Sequence, residues 1–126
     1  MNRCVLMAAL ALALAGAVSA QTSRPFPAHA LRGTLVVVQP PEVQLNGQVA
    51  RLAPGSRIRG ADNMVQMSGM LVGAKLLVHY TVDPTGLLQD VWVLTPDEAA
   101  RKPWPTTPGE AQAWLFNPAA QAWSKR

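Results

Sequence analysis

Apolar positions along the chain fall into three regimes. Val5 to Ala15 is an unbroken apolar run. From Leu31 to Leu94 the apolar residues come in short, partly alternating stretches cut by Gly, Pro, Asn and Asp, the signature of successive β-strands. Beyond Thr95 the alternation gives way to two short segments opened by Thr-Pro, which carry three of the four tryptophans.

The middle regime predicts the following strands. Leu31 to Gln39 is centred on Leu35-Val36-Val37-Val38, rich in β-branched residues, and Pro40-Pro41 stops it. Val43 to Leu52 brackets Asn46-Gly47, a pair that favours the two positive-φ positions of a tight hairpin turn. Ala53-Pro54-Gly55-Ser56 reads as a further turn, followed by a short strand around Arg57-Ile58-Arg59. Gly60 to Gly73 has no clear period. Lys75 to Val82 and Leu87 to Leu94 then flank Asp83-Pro84-Thr85-Gly86, a type I turn with a glycine bulge.

That last turn pairs Val82 with Leu88, Tyr80 with Asp90, Val78 with Trp92 and Leu76 with Leu94. One face would hold Leu76, Val78, Tyr80, Val82, Leu88, Trp92 and Leu94 as core. The other would hold Leu77, Val91 and Val93 among Lys75, His79, Thr81 and Gln89, a half-apolar outer face that calls for cover by another segment or a partner.

In the third regime, Thr95-Pro96-Asp97-Glu98 and Thr107-Pro108-Gly109-Glu110 each place Thr at the N-cap, Pro at N1 and Glu at N3, the pattern of a capping box. Pro103 and Pro118 keep both helices short. The fold class expected is mainly β: a small five- or six-stranded OB-like or Greek-key barrel with short C-terminal helices, a split two-layer sandwich being the rival. Residues 31–95 would form the barrel and 96–126 the short helices and an aromatic tail.

The first apolar run changes how the composition is read. With Arg3 ahead of it and Val18-Ser19-Ala20 behind it, residues 1–20 read as a signal peptide, and residues 21–30, with two prolines and no period, as a flexible leader. The overall 49% hydrophobic content is thus inflated by an export segment. Export to the periplasm is expected, with no transmembrane span after signal cleavage. Cys4 is the sole cysteine and would be lost with the signal, so neither disulfides nor thiolate chemistry is available to the rest. Outside residues 1–20 ten basic residues face seven acidic ones, a mild bias that, with export, argues against a nucleic-acid partner.

Leu31-Arg32-Gly33-Thr34-Leu35, Val43-x-Leu45-Asn46-Gly47-x-Val49 and Leu52-Ala53-Pro54-Gly55-Ser56-Arg57-Ile58, followed by the Tyr80–Asp83 to Val91–Thr95 hairpin, resemble small uncharacterised exported bacterial β-barrel proteins. The resemblance covers about residues 31–100. It implies an OB-like barrel in the cell envelope and transfers no catalytic residue.

Candidate chemistry is sparse. No G-x-S-x-G, H-E-x-x-H, glycine-rich phosphate loop or carboxylate cluster occurs, and neither His29 nor His79 has a nearby Ser or Asp at catalytic spacing. A non-enzymatic periplasmic binding module without a cofactor is expected, its partner an envelope protein or a second copy of itself. Its contact residues would be Leu77, Val91 and Val93 on the outer face and Trp114 and Trp123 in the tail. The alternative is a Cu(I)-binding protein, since Met64, Met67 and Met70 form M-x-x-M-x-x-M and thioethers are soft ligands, with His79 as a further ligand. Against copper stands the use of Met as a filler of core gaps.

Overall fold

The computed structural model describes residues 24–125. The signal-peptide expectation, the first three leader residues and Cys4 lie outside the described residues. The order is β1 (Leu31–Gln39), β2 (Glu42–Leu45), β3 (Gln48–Arg59), β4 (Val65–Gln66), a 3-10 turn (Ser68–Leu71), β5 (Lys75–Val82), β6 (Leu88–Val93), α1 (Pro96–Ala99), α2 (Pro108–Ala113), β7 (Leu115–Asn117) and β8 (Ala122–Ser124).

Five strands close on themselves. β1 pairs with β2 and β5, β5 with β6, β6 with β3, and β3 back to β2. All pairs are antiparallel except β3–β6. This is a small closed barrel of the OB-like kind, and closure leaves only the two-residue β4 as an added edge on β3. No described helix is long and apolar enough to cross a membrane.

The Asn46-Gly47 turn forms as its residue types require, with φ of 53° and 79°. Asn46 does more than turn the chain: its Oδ1 accepts from Thr34 N–H at 2.9 Å and its N–H donates to the Thr34 carbonyl at 2.8 Å, tying the hairpin to β1. The close approach explains Gly33, where a Cβ would stand 3.0 Å from Asn46 Oδ1. The second turn is built by Asp83, whose Oδ1 accepts from Thr85 N–H and Oγ1 and from Leu87 N–H.

Two expectations need correcting. Residues 53–56 do not separate two strands; β3 runs through Pro54-Gly55, with a register shift between Leu52 and Arg57 and φ of 77° at Gly55 that lets the strand bend around the barrel. The β5–β6 register also slips by one. Val82 faces Leu88 as expected, but Tyr80 then pairs with Val91, His79 with Trp92 and Val78 with Val93. β6 uses three steps from Leu88 to Val91 where β5 uses two, a bulge at Gln89-Asp90. Asp90 N–H donates to Thr81 Oγ1 at 3.2 Å, and Asp90 Oδ1 stands 3.8 Å from Arg59 Nη1. The slip turns Val91 into the barrel and puts Trp92 on the outer side with His79.

The barrel core is Leu31, Leu35, Val37, Val43, Leu52, Ile58, Val78, Tyr80, Leu88 and Val91. A second core lies against the outer side of the barrel: Phe26, Ala30, Trp104 and Trp123, with Trp92, Leu94, Trp114 and Phe116 packed around them. It is supplied by the leader and the tail. Residues 24–30, expected to be flexible, are therefore part of the packed structure. Phe26 is buried, its N–H donating to Gln121 Oε1 at 2.9 Å. The tail contributes a β7–β8 hairpin that faces Phe116 with Trp123. α1 opens with the full capping box, whereas in α2 the Glu110 carboxylate accepts from Thr106 N–H and Oγ1 instead of completing the reciprocal bond.

Candidate functional site

Among the described residues two features carry the sequence-predicted site residues: a buried polar cluster beneath the leader and tail, and an apolar connection on the barrel surface.

The cluster begins with alternation in β1 and β5. Inward Leu31 and Gly33 force Arg32 outward, and inward Val78 and Tyr80 do the same to His79. Arg32 and His79 are direct partners across the two strands. His79 is fully buried, its ring stacked on Trp104 at 4.0 Å between centroids and edge-on to Phe26 at 4.5 Å. Arg32 Nη2 stands 3.5 Å from His79 Nε2. A guanidinium only donates, so Nε2 is the acceptor and the ring proton sits on Nδ1. That Nδ1 is buried with no hydrogen-bond partner among the described residues. Burial, with the positive charges of Arg32 and Arg24, pushes the His79 pKa down to about 3.

Arg32 is in turn pinned by the end of α1. Its guanidinium donates to the carbonyls of Glu98, Ala99 and Arg101 at 2.9, 3.2 and 2.9 Å and lies 5.5 Å from the Trp104 ring centroid. Those carbonyls lie at and just beyond the C-terminal end of α1, where a cation is favoured. Arg24 closes the cluster from the leader, donating to the Glu98 carboxylate and to the Gly60 and Val93 carbonyls. Burial alone would raise the Glu98 pKa, but the bonds from Arg24 and Thr95 outweigh it and hold the carboxyl below its ordinary value. Each charged group is thus engaged in holding leader, barrel and α1 together. A neutral His79 stacked between aromatic rings and a fixed guanidinium is poorly placed to move protons at neutral pH.

The contact residues expected from sequence divide accordingly. Val91 is in the barrel core and Trp123 in the second core, so neither is available to a partner. Val93 is half-buried against the barrel core, and Trp114 is half-buried with Lys125 Nζ 5.2 Å from its ring centroid. Leu77 alone keeps substantial exposure, at 40%. The cover that the outer face called for comes largely from the chain itself. As a copper ligand His79 is also displaced: it lies sealed beneath Phe26 and Trp104, apart from the solvent-facing methionines.

The apolar connection runs from Gly60 to Ala74. Gly60 N–H donates to the Met64 carbonyl and Asn63, with φ of 65°, turns the chain so that Val65-Gln66 adds to β3 as β4. The Gln66 amide lies close over Gly60, within 2.2 Å of where a Cβ would stand, so a side chain there would displace the Gln66 tip. Met70 N–H then donates to the Met67 carbonyl at 3.0 Å, forming the 3-10 turn. Leu71 packs on the barrel core, and Gly73 N–H donates to the Val37 carbonyl at 2.9 Å. Around these anchors Met64, Met67 and Met70 are 67%, 78% and 82% exposed, and Val65 and Val72 are also exposed. The Val37–Val72 bridge places exposed Val38 beside them. The methionines are therefore not core fillers. Lack of period over 60–73 was the one sequence sign that these side chains had no buried face to serve.

Among the described residues no group of three His, Cys, Asp or Glu side chains is arranged to hold a metal ion. Comparison of the chain with protein families, curated proteins and solved structures returns no match.

Proposed function

We propose that the protein is an exported, non-enzymatic binding module that docks a protein partner of the cell envelope through the 60–74 connection. The observation that carries this reading is the concentration of solvated apolar side chains there: Met64, Val65, Met67, Met70 and Val72 within nine residues, with Val38 alongside. Exposed apolar side chains concentrated in one segment are a liability unless something covers them, and methionine-rich segments suit adaptable contacts because the unbranched side chain repacks readily. The only carboxylate in the connection is Asp62, whose Oδ1 is engaged by Met64 N–H, so a partner surface of apolar, weakly charged character fits best. The non-enzymatic part of the reading is supported by the structural use of Arg24, Arg32 and Glu98 and by the burial of His79.

The test is site-specific photo-crosslinking in cells, with a photoreactive residue at position 67 or 70 and, as control, at the fully solvated Val49 on β3. A discrete adduct from 67 and 70 but not from 49 is expected. An adduct of twice the chain mass would make a second copy the occupant and overturn the envelope partner. Equal, diffuse labelling from all three positions would end the docking reading.

A further inference from the structure

Every methionine beyond residue 20 lies in the 60–74 connection, as Met64, Met67 and Met70, and that part of the chain has no cysteine. All its sulfur therefore belongs to three largely exposed side chains, and neither core contains any of it. The aromatic side chains next most prone to oxidation are shielded: Tyr80, Trp104 and Trp123 are buried, and Trp92 and Trp114 are half-buried. The connection is held without help from the thioethers. The Met64 and Met67 carbonyls accept from Gly60 N–H at 2.9 Å and Met70 N–H at 3.0 Å. Leu71 packs on the barrel core, and Gly73 N–H donates to the Val37 carbonyl. A change at sulfur can thus alter this surface and leave the fold intact.

We infer that Met64, Met67 and Met70 are a reversible oxidation site, where a hypohalous acid turns the thioethers into sulfoxides and so switches docking off. This rests on the docking reading proposed above and adds its regulation. Each sulfur reacts alone, so the three need not meet. The sulfur lone pair attacks the halogen, water then adds at sulfur, and halide leaves. One oxidant yields one sulfoxide, one halide and one proton, with sulfur losing two electrons to the halogen. Return takes two thiols of a reductase, which close to a disulfide while the sulfoxide oxygen leaves as water. A sulfoxide is polar and a strong acceptor. Against an apolar partner its oxygen meets no donor, so each one buried there weakens the contact about tenfold or more. A docked partner covers the sulfurs, which makes the free chain the form that oxidises.

The experiment places a photoreactive residue at exposed position 65, which keeps all three methionines. The purified protein is treated with a few equivalents of hypochlorite, mapped by peptide mass spectrometry, and crosslinked in an envelope preparation. Met64, Met67 and Met70 are expected to oxidise ahead of every tryptophan, with an unchanged circular dichroism spectrum and an adduct yield reduced about tenfold or more. Methionine sulfoxide reductases with a thiol reductant should restore the yield, a result that needs no variant to fold. The Met64→Leu/Met67→Leu/Met70→Leu variant should give the adduct equally before and after hypochlorite. Sulfoxides at all three positions with an undiminished adduct would overturn the switch and leave docking standing. An equal loss of adduct in the leucine variant, or tryptophan oxidised before methionine, would also overturn it. No adduct from the untreated protein would sink the docking reading and the switch together.

Discussion

Lowering the pH from 7.5 to 5 should destabilise the protein through His79 alone. The folded state holds this imidazole near pKa 3, against an ordinary value of 6.5. A depressed histidine pKa means that the unfolded chain binds the proton first as the pH falls through 6.5. The stability associated with the neutral ring is complete above that value and is lost progressively down to about pH 3. Linkage puts the loss at roughly 0.4 kcal/mol at pH 6.5 and about 2 kcal/mol at pH 5. For a domain of this size about 2 kcal/mol corresponds to a fall in Tm of roughly 8–16 °C. Glu98 acts in the same direction but lower down. Its folded pKa is depressed, so its contribution is present above the ordinary carboxylate range and lost below it. Urea denaturation followed by tryptophan fluorescence at pH 7.5, 6.5, 5.5 and 5.0 gives the curve. His79→Gln should be less stable at pH 7.5, because it loses the stack on Trp104, yet nearly flat between pH 7.5 and 5. A native protein with no pH dependence in that window, or a His79→Gln variant with the native slope, would refute the reasoning.

Further outcomes can be checked by the same denaturation assay. Arg24→Ala removes the partner of a carboxylate with 6% side-chain exposure and should cost about 3 kcal/mol, showing that the leader is part of the fold. Trp104→Ala empties the centre of the second core, where the ring meets Phe26, His79, Phe116 and Trp123, and should cost about 3–5 kcal/mol. Gly47→Ala places a Cβ at φ of 79° and should cost about 1–2 kcal/mol, although nothing crowds the new methyl. Met67→Leu and Met70→Leu should change stability by no more than about 0.5 kcal/mol, since both side chains are solvated.

The barrel was largely legible in the sequence because its turns are written in residue types with strong backbone preferences. Asn46-Gly47 and Asp83–Gly86 set two hairpins, and the apolar run closed by Pro40-Pro41 marked β1. The bulge at Gln89-Asp90 was not legible. A one-residue slip carries no residue signature, and both Val91 and Trp92 are apolar, so either could face inward until the Asp90–Thr81 hydrogen bond and the Arg59 contact settle it. That slip alone moved Val91 from the expected contact surface into the core. The second core was hidden for another reason: Phe26 lies 78 positions before Trp104, and Arg24 lies 74 before Glu98, separations at which a single sequence gives no pairing signal. The leader's prolines suggested freedom where Arg24 and Phe26 dock. The methionine spacing was visible from the start, but whether it marked core or surface depended on Leu71 taking the buried position instead.

Hydroxyl-radical footprinting, with the purified protein compared against the same protein in an envelope preparation, tests both halves of the account at once. Oxidation of Met64, Met67 and Met70 should be fast in the isolated protein and strongly slowed in the envelope, while Phe26, Trp104 and Trp123 stay slow in both. Fast oxidation of Trp104 and Trp123 in the isolated protein, or methionines equally reactive in both preparations, would contradict a barrel sealed by its own leader and tail that meets its partner through the 60–74 connection.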